Sequence, residues 1–151
     1  MAESQYVIFK LGKEEYGIDI MNVKEIGPYQ ESIEVPNAPK FVQGIINFRG
    51  EVIPIINLKR RFNLPDKETD NNTRIIIINL KEKQVGFIVD EASETMRLQD
   101  KDIDPAPDIV GGVDKRYITG VGKSDDRLII LIDLEKILSE EEKEKIENMD
   151  V

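Results

Sequence analysis

The sequence predicts a mostly β protein built as two similar lobes, and two observations carry that prediction. The stretch Gly44–Phe62 is echoed without gaps by Gly120–Leu138, at a spacing of 76 positions (120 − 44) in a chain of 151 residues. Isoleucine outnumbers leucine by 23 to 9, and β-branched residues pack well in sheets but lose rotamer freedom in helices. A repeat of half the chain is too long for a solenoid, whose units run about 20–50 residues. Short strands at close spacing therefore suggest two small barrels.

A second, fainter echo gives the order of elements within each half. Leu11–Glu25 matches Leu80–Glu94 at the first residue, at the glycine and at the last residue. Each half is predicted to contain a hairpin, a connection, a second hairpin and a helix. We expect one domain over residues 1–151, with a first lobe over about 14–80 and a second over about 81–138. The strand over residues 6–11 can pack with either lobe, and residues 139–151 form a C-terminal helix and tail.

Apolar segments bounded by turn residues predict the individual strands. In Glu15–Ile20 the side chains of Tyr16, Ile18 and Ile20 alternate with polar or small residues, which is typical of a half-buried strand. Pro54 lacks a backbone N–H, so its strand is expected to be an edge or to bulge there. The predicted strands are Tyr6–Leu11, Glu15–Ile20, Val52–Leu58, Arg74–Leu80, Gln84–Asp90 and Arg127–Leu134.

Few helices are expected, at Lys40–Gln43, at Leu58–Phe62 and at the C-terminus. The last one begins with capping-box spacing at Ser139. Only two apolar residues follow, so we expect the final ten residues to fray. The basic cluster over residues 59–61 is interpreted as a solvated helix face.

Composition excludes several classes of function. The chain contains no His, no Cys and no Trp, so it lacks the side chains of hydrolytic triads, thiolate nucleophiles and zinc sites. A formal net charge of −9 argues against binding to nucleic acid or to an anionic membrane. No signal peptide or membrane-spanning run is recognisable, so we expect a cytoplasmic location, without membrane insertion and without a cofactor or metal.

Three motifs that suggest ligand chemistry fail on their spacing. Gly122-Lys123-Ser124 ends like a phosphate-binding loop, but Tyr117 stands where that loop needs glycine. The acidic run that begins at Asp100 has Pro105 at the turn position of a calcium loop. The strand-end residues Asp19, Asp90 and Asp133 are spread over both halves, which favours turn roles over a catalytic pair.

The segment before the first echoed strand has unusual surface chemistry. Residues 36–48 are rigid, apolar and almost uncharged, and they lead into Arg49-Gly50. Gly50 permits the positive φ of a tight turn, which places Arg49 at the tip. Two interpretations stay open on spacing alone. Arg49 is either a solvated turn residue or a fixed cation between apolar walls, as in an interaction hot spot.

The run Pro36–Leu58, PNAPKFVQGIINFRGEVIPIINL, resembles the signature of the CheW family of bacterial chemotaxis coupling proteins. Glu14–Ile20, Val85–Asp90 and Tyr117–Gly122 also match, and Phe48 replaces the leucine of the family's Asn-Leu-Arg-Gly. The resemblance implies two five-stranded SH3-like barrels around a shared core. It also implies a non-enzymatic adaptor between the signalling tips of chemoreceptors and the regulatory domain of the histidine kinase CheA.

The same resemblance implies which residues contact the partners. Receptor contact falls on Arg49, Val23 and Glu25, with Ile26 and Phe48 as apolar walls of a groove for a receptor helix. Gly44 is the position implied in coupling to the kinase.

Three other classes of function stay open at this stage. An enzyme would have to work through carboxylates alone. A nucleic-acid-binding barrel would need a basic face rich in aromatic residues. The third alternative is a CheW-like part of a larger chemotaxis protein.

Overall fold

The structure is a computed structural model that describes residues 3–66, 68–80, 82–106, 109–110 and 113–148. Its strands are β1 (Glu3–Leu11), β2 (Glu14–Asp19), β3 (Glu25–Pro28), β4 (Val42–Phe48), β5 (Glu51–Asn57), β6 (Arg74–Leu80), β7 (Lys83–Val89), β8 (Glu91–Gln99), β9 (Ile103–Asp104), β10 (Ile109–Val110), β11 (Val113–Asp114), β12 (Ile118–Ser124) and β13 (Arg127–Ile132). The α-helices are α1 (Leu58–Arg61) and α2 (Glu140–Glu147), and short 3₁₀ turns cover Ile20–Asn22, Asp100–Asp102, Lys115–Tyr117 and Leu134–Ile137.

The strands form two main sheets, which confirms a mostly β fold with few helices. One sheet has the order β3-β6-β7-β5-β4, and the other has the order β8-β1-β2-β13-β12-β9. The second sheet therefore has six strands rather than five, because the two-residue strand β9 pairs with β12. In the described part of the chain, neither hydrogen-bond ladder closes into a complete barrel. Strands β10 and β11 form a separate two-stranded hairpin.

The predicted lobe boundaries at 14–80 and 81–138 do not follow the sheets. Strand β2 lies inside the predicted first lobe but pairs with β1 and β13 in the six-stranded sheet. Strand β7 lies inside the predicted second lobe but pairs with β5 and β6 in the five-stranded sheet. The N-terminal strand β1 belongs to the six-stranded lobe. Two parallel pairings between distant segments, β2 with β13 and β5 with β7, produce this exchange.

The internal duplication is present in the register of both sheets. Gly44 is opposite Ile55, which pairs in parallel with Gly86. In the other lobe Gly120 is opposite Leu131, which pairs in parallel with Gly17. Each echoed hairpin also shifts register just before its first glycine. The echoes therefore correspond to equivalent positions in two lobes of similar construction.

The apolar side chains form one core between the lobes and one smaller core inside each. The shared core draws on both sheets and includes Phe9, Tyr16 and Phe87. The five-stranded lobe has its own isoleucine-rich cluster, which includes Ile53. The six-stranded lobe has another, which includes Ile129. Because burial of apolar side chains is the main driving force for folding, the shared core fixes the two lobes against each other.

Two local predictions are corrected by strand pairing. Lys40–Gln43 is not a helix, because Val42 begins β4, pairs with Ile56 and is buried. Pro54 lies in an interior strand rather than in an edge strand. The missing N–H of Pro54 is nevertheless tolerated there, because the pairing of β5 with β7 covers only Ile55 to Asn57.

The C-terminal helix is ordered through α2 rather than frayed, and the last three of the ten residues predicted to fray lie outside the described part of the chain. Ser139 and Glu142 form both hydrogen bonds of the capping box, and Ile146 is fully buried in the shared core. Arg61 donates to Glu142 Oε2 at 2.8 Å and to the backbone carbonyl oxygen of Ile137. Burial acts to raise the pKa of the Glu142 carboxyl, but the hydrogen bonds from Ser139 and Arg61 outweigh it, so the pKa lies below its usual value.

The basic cluster on α1 is not a uniformly solvated face. Lys59 is buried, and its Nζ lies 3.2 Å from Asp90 Oδ2. The same carboxylate oxygen accepts a hydrogen bond from the backbone N–H of Gly12 at 2.7 Å. This group joins α1, the end of β7 and the β1–β2 turn, so it ties the two lobes together. Of the cluster, only Arg60 is exposed.

Tyr16 places a polar hydroxyl in the shared core, so its replacement tests what that buried polar atom costs in stability. Its ring stacks on Phe9 at a centroid distance of 5.6 Å, and its buried hydroxyl has no hydrogen-bond partner among the described residues. Burial raises the pKa of this hydroxyl to about 12. We expect Tyr16→Phe to leave the free energy of unfolding unchanged or to raise it by about 1 kcal/mol, because it removes an unsatisfied polar atom.

The raised pKa of Tyr16 adds a pH dependence to the same comparison. Above its usual pKa of about 10, the hydroxyl ionises in the unfolded chain but stays neutral in the fold until about pH 12. Wild type should therefore lose stability relative to Tyr16→Phe as pH rises from about 10 to about 12, by up to about 1.4 kcal/mol per unit. Denaturant unfolding of both proteins at neutral and alkaline pH measures the effect. Destabilisation of the variant at neutral pH would indicate a hidden hydrogen bond.

Candidate functional site

The β4–β5 hairpin ends in a two-residue turn that presents Arg49. Phe48 pairs with Glu51, and the two intervening residues have positive φ angles of 55° for Arg49 and 87° for Gly50. Two successive positive φ angles are typical of a type I′ hairpin turn. The Asn47 side chain accepts a hydrogen bond from the backbone N–H of Gly50 at 3.0 Å. The sequence correctly predicted a tight turn with Arg49 at its tip.

The Arg49 side chain is mostly exposed but has two neighbours. Its guanidinium forms an ion pair with the carboxylate of Glu25 and lies over the ring of Phe48, 5.2 Å from the centroid. A Cβ added at Gly27 would lie 2.8 Å from Phe48 Cε1, so the glycine makes room for this ring. We call Arg49, Glu25 and Phe48 the Arg49 surface. Their direct contacts bring together three of the five residues implied in receptor contact.

The Arg49 surface spans the open side of the five-stranded sheet. Strands β3 and β4 are the two edges of that sheet and are not hydrogen-bonded to each other. Glu25 and Gly27 lie on β3, whereas Phe48 ends β4. Because these residues touch, the sheet curls until its edges meet through side chains rather than through a backbone ladder. A cation and an aromatic ring are therefore held at the rim of the lobe.

Val23 and Ile26 lie apart from this cluster. Val23 packs partly against the shared core and lines a cleft of about 150 Å³ between the lobes, together with Leu134. Ile26 is 37% exposed, and it lies on the opposite face of β3 from Glu25 because strand side chains alternate. The expected single groove walled by Val23, Ile26 and Phe48 is thus divided between two faces of β3 and an interlobe cleft.

Gly44 lies at the other end of β4 and is buried. A Cβ at this position would be 2.6 Å from the backbone oxygen of Ile33 and 2.8 Å from Ser32 Oγ. Ile33 and Ile45 form an isolated β-bridge. The backbone N–H of Ile33 donates to the carbonyl oxygen of Ile45 at 2.8 Å, and the N–H of Ile45 donates to the carbonyl oxygen of Ile33 at 2.9 Å. Glycine is therefore required at position 44 by close approach of another backbone segment. That requirement is structural, whatever contact the site makes with a partner.

The equivalent turn in the other lobe carries the opposite charge, which sequence reasoning missed. Asp125, 76 positions after Arg49, also has a positive φ, of 54°. The nearby Arg127 is held by Glu15 and Glu94, which raise the pKa of its guanidinium. The hydrogen bond from Arg127 in turn lowers the pKa of the Glu15 carboxyl. The echo alignment contained this signal, since it pairs Arg49 with Asp125.

Two exposed apolar side chains also occupy equivalent positions. Val52 on β5 is 45% exposed and Leu128 on β13 is 65% exposed, and they are 76 positions apart (128 − 52). The remaining interior positions of both strands are buried, and most of them are isoleucines, with Pro54 in β5 and Leu131 in β13. Single exposed apolar residues are common on protein surfaces, so the notable feature of these two is that they occupy matched positions in the two lobes.

The described residues show no site for metal chemistry. Within them, no group of three or more Asp or Glu side chains is arranged to hold a metal ion. Among the helices of the same residues, none has the length and apolar character needed to cross a bilayer.

Comparison with known proteins identifies the family. A family model described as a CheW-like domain matches residues 5–142, nearly the whole chain. The chain belongs to the CheW family. The two-lobed β architecture described above is thus that of a CheW-like domain, and the duplicated register accounts for the two lobes.

Relatives from several bacteria agree with this assignment. Chemotaxis protein CheW of Klebsiella aerogenes is 39% identical over 145 residues, which cover 96% of this chain and 87% of that protein. Chemotaxis protein CheW of Treponema pallidum is 36% identical and covers 96% of this chain and 88% of that protein. The crystal structure of the scaffolding protein TtCheW from Thermoanaerobacter tengcongensis superposes with a TM-score of 0.82 at 34% identity, over 92% of this chain and 90% of that one.

Proposed function

We propose that this protein is a non-enzymatic cytoplasmic adaptor that couples chemoreceptors to the histidine kinase CheA. The observation that carries the proposal is the Arg49 surface, in which a fixed cation and an aromatic ring stand at an exposed turn of a CheW-family fold. Such a combination is typical of interaction hot spots. It favours the hot-spot interpretation of Arg49 over that of a solvated turn residue.

The Arg49–Glu25 ion pair suits exchange with a receptor. The Arg49 side chain is 73% exposed and that of Glu25 is 31% exposed, and exposed pairs of this kind contribute only about 0–1 kcal/mol to stability. A carboxylate or backbone carbonyl on a receptor helix can therefore take over the guanidinium at little cost to the fold. Phe48 then supplies the apolar contact beside it. The interlobe cleft at Val23 offers a second point of contact for the same helix.

The kinase contact is proposed for other parts of the surface. Gly44 allows the close approach of the segment that contains Ser32 and Ile33. The side chain of Ile33 is 69% exposed. Val52 and Leu128 add one exposed apolar side chain to each lobe. A kinase regulatory domain built from similar barrels would pack against such strand residues through its own exposed apolar side chains. This arrangement separates the receptor face from the kinase face.

The receptor face is tested by Arg49→Glu. We expect receptor binding to weaken by about tenfold or more, because a hot-spot cation is replaced by an anion beside Glu25. The thermal midpoint should change little, because only an exposed ion pair is lost. Glu25→Lys should also weaken receptor binding. The measurement is affinity for a purified receptor signalling fragment, together with thermal unfolding of each variant.

The matched control for this experiment is Asp125→Lys at the equivalent turn of the other lobe. It reverses a charge at the same backbone geometry and should leave receptor affinity unchanged. A collapse of stability in Arg49→Glu would make Arg49 a structural residue. Unchanged receptor binding in both Arg49→Glu and Glu25→Lys would remove the Arg49 surface from the receptor site. Pull-down of CheA and receptors with wild-type protein tests the adaptor function as a whole.

A further inference from the structure

A second candidate site is a cleft of about 320 Å³ between the start of β4 and the helix α1. It is distinct from the Arg49 surface, which lies at the opposite end of β4. Strand β4 has seven residues, so its two ends are about 20 Å apart at the rise per residue of a β-strand. The residues that line the cleft include Lys40, Phe41, Gln43, Arg60, Arg61 and Asn63.

The charge of this cleft is opposite to that of the whole chain. Three of its lining residues are cationic, none is a carboxylate, and the protein carries a formal net charge of −9. Lys40 makes no ion pair within the described part of the chain. Arg60 pairs with Asp66 at 3.4 Å, and both side chains are 61% exposed. Because exposed pairs are weak, the charges of Lys40 and Arg60 are available to a ligand.

The remaining walls of the cleft are held in place by the fold. Arg61 is anchored by Glu142 and by the backbone carbonyl oxygen of Ile137, and it lies 6.0 Å from the centroid of the Phe41 ring. Gln43 occupies the register shift of β4, where an extra residue turns its side chain away from the regular alternation. It accepts a hydrogen bond from the Asn57 amide at 3.3 Å. The cleft is therefore built before any ligand arrives.

These features point to recognition of an oxyanion group. Phosphate and carboxylate groups are bound in proteins by Arg and Lys together with amide donors, and the cleft supplies all three. Its volume is at the lower end of that of small-molecule sites, and Phe41 gives it one apolar wall. We propose that this cleft binds a small organic anion that carries phosphate or carboxylate groups. Ligand binding there would act beside the Gln43-Gly44 segment rather than at the receptor face.

The test is an NMR titration of the full chain with pyrophosphate and, separately, with citrate. Sodium chloride keeps the ionic strength constant, so that general screening is removed from the comparison. We expect saturable shifts of amide resonances at residues 40–43 and 57–63. The anion that binds more tightly identifies phosphate or carboxylate as the favoured group. If neither anion produces saturable shifts at these residues, the proposal is wrong.

Charge-reversal variants separate a site from a general attraction. Arg60→Glu and Lys40→Glu should each lower the affinity for the better anion by about tenfold or more, since each replaces a charged donor with an anion. The matched control is Lys136→Glu, at the echo position of Arg60 (136 − 60 = 76), which should leave the affinity unchanged. An equal loss in the control and in both cleft variants would overturn the proposal. Thermal midpoints of all three variants verify that each is folded.

Discussion

Asp90→Ala is expected to destabilise the fold by about 3–5 kcal/mol, because it leaves the buried ammonium of Lys59 without a partner. The Lys59 and Asp90 side chains are only 9% and 12% exposed, and their Nζ–Oδ2 distance is 3.2 Å. Removal of the carboxylate also leaves the backbone N–H of Gly12 without its acceptor. The measurement is the free energy of unfolding from denaturant titration.

Two further variants make this prediction specific. Asp104→Ala removes a carboxylate 2.9 Å from Lys123, in a pair whose side chains are about half exposed, and should cost less than about 1 kcal/mol. The double change Lys59→Met with Asp90→Leu removes both buried charges and should recover most of the stability lost in Asp90→Ala. A loss in Asp90→Ala no larger than that in Asp104→Ala would show that the interlobe pair is effectively solvated.

The six strands that the sequence predicted were predictable because their signals are local, whereas β4, β8 and β12 were not among them. Alternation at Tyr16 and Ile18, and the turn residues that bound each apolar run, place the strands within a few residues of their observed ends. Membership of a lobe was not predictable in the same way. It depends on the parallel pairing of β2 with β13, which joins Gly17 to Leu131. A contact between residues more than a hundred positions apart leaves no local pattern in the sequence. The predicted lobes therefore follow the two halves of the sequence instead of the two sheets.

Buried charge was the second feature that sequence reasoning missed. In the sequence, Lys59 looks like part of a basic helix face. Its partner Asp90 lies 31 residues away, just after β7, and only the fold brings the two side chains together. Arg61 is likewise drawn inward by Glu142 of α2, 81 residues away. The same contact explains why the C-terminal helix is ordered despite its few apolar residues. Ile146 and the Arg61 clamp supply the tertiary support that helix propensity alone did not indicate.

The candidate site was partly accessible from sequence. The turn chemistry of Arg49-Gly50 predicted an exposed arginine, and the structure places it there. Its contact with Glu25 depends on the meeting of β3 and β4 at the open side of the sheet, which a list of strands does not contain. The alternation of β3 does predict that Ile26 and Glu25 lie on opposite faces. That pattern was present in the sequence, and it argues against placing both residues in one groove.

Gly44→Ala is expected to destabilise the protein by about 1–3 kcal/mol, as is typical of overpacking. The added Cβ would lie 2.6 Å from the backbone oxygen of Ile33, which cannot rotate away. Relief requires movement of the whole segment that bridges to Ile45. At the echo position Gly120, the nearest atom is the side-chain methyl Cγ2 of Ile103 at 2.7 Å, and a backbone oxygen lies at 3.1 Å. A side chain adapts more easily than a backbone bridge, so Gly120→Ala should cost less.

The same pair of variants tests the proposed kinase face. Displacement of the backbone at Ser32 and Ile33 should weaken CheA binding in Gly44→Ala more than it weakens receptor binding at the Arg49 surface, which lies about 15 Å from Gly44 along the chain direction of β4. Gly120→Ala disturbs the other lobe and should spare the affinity for CheA. The affinities for CheA and for the receptor are measured for each variant at a temperature where both variants remain folded. The thermal midpoint of each variant is measured separately. If both variants lose affinity for both partners to the same extent, Gly44 is a structural glycine with no special role in kinase contact.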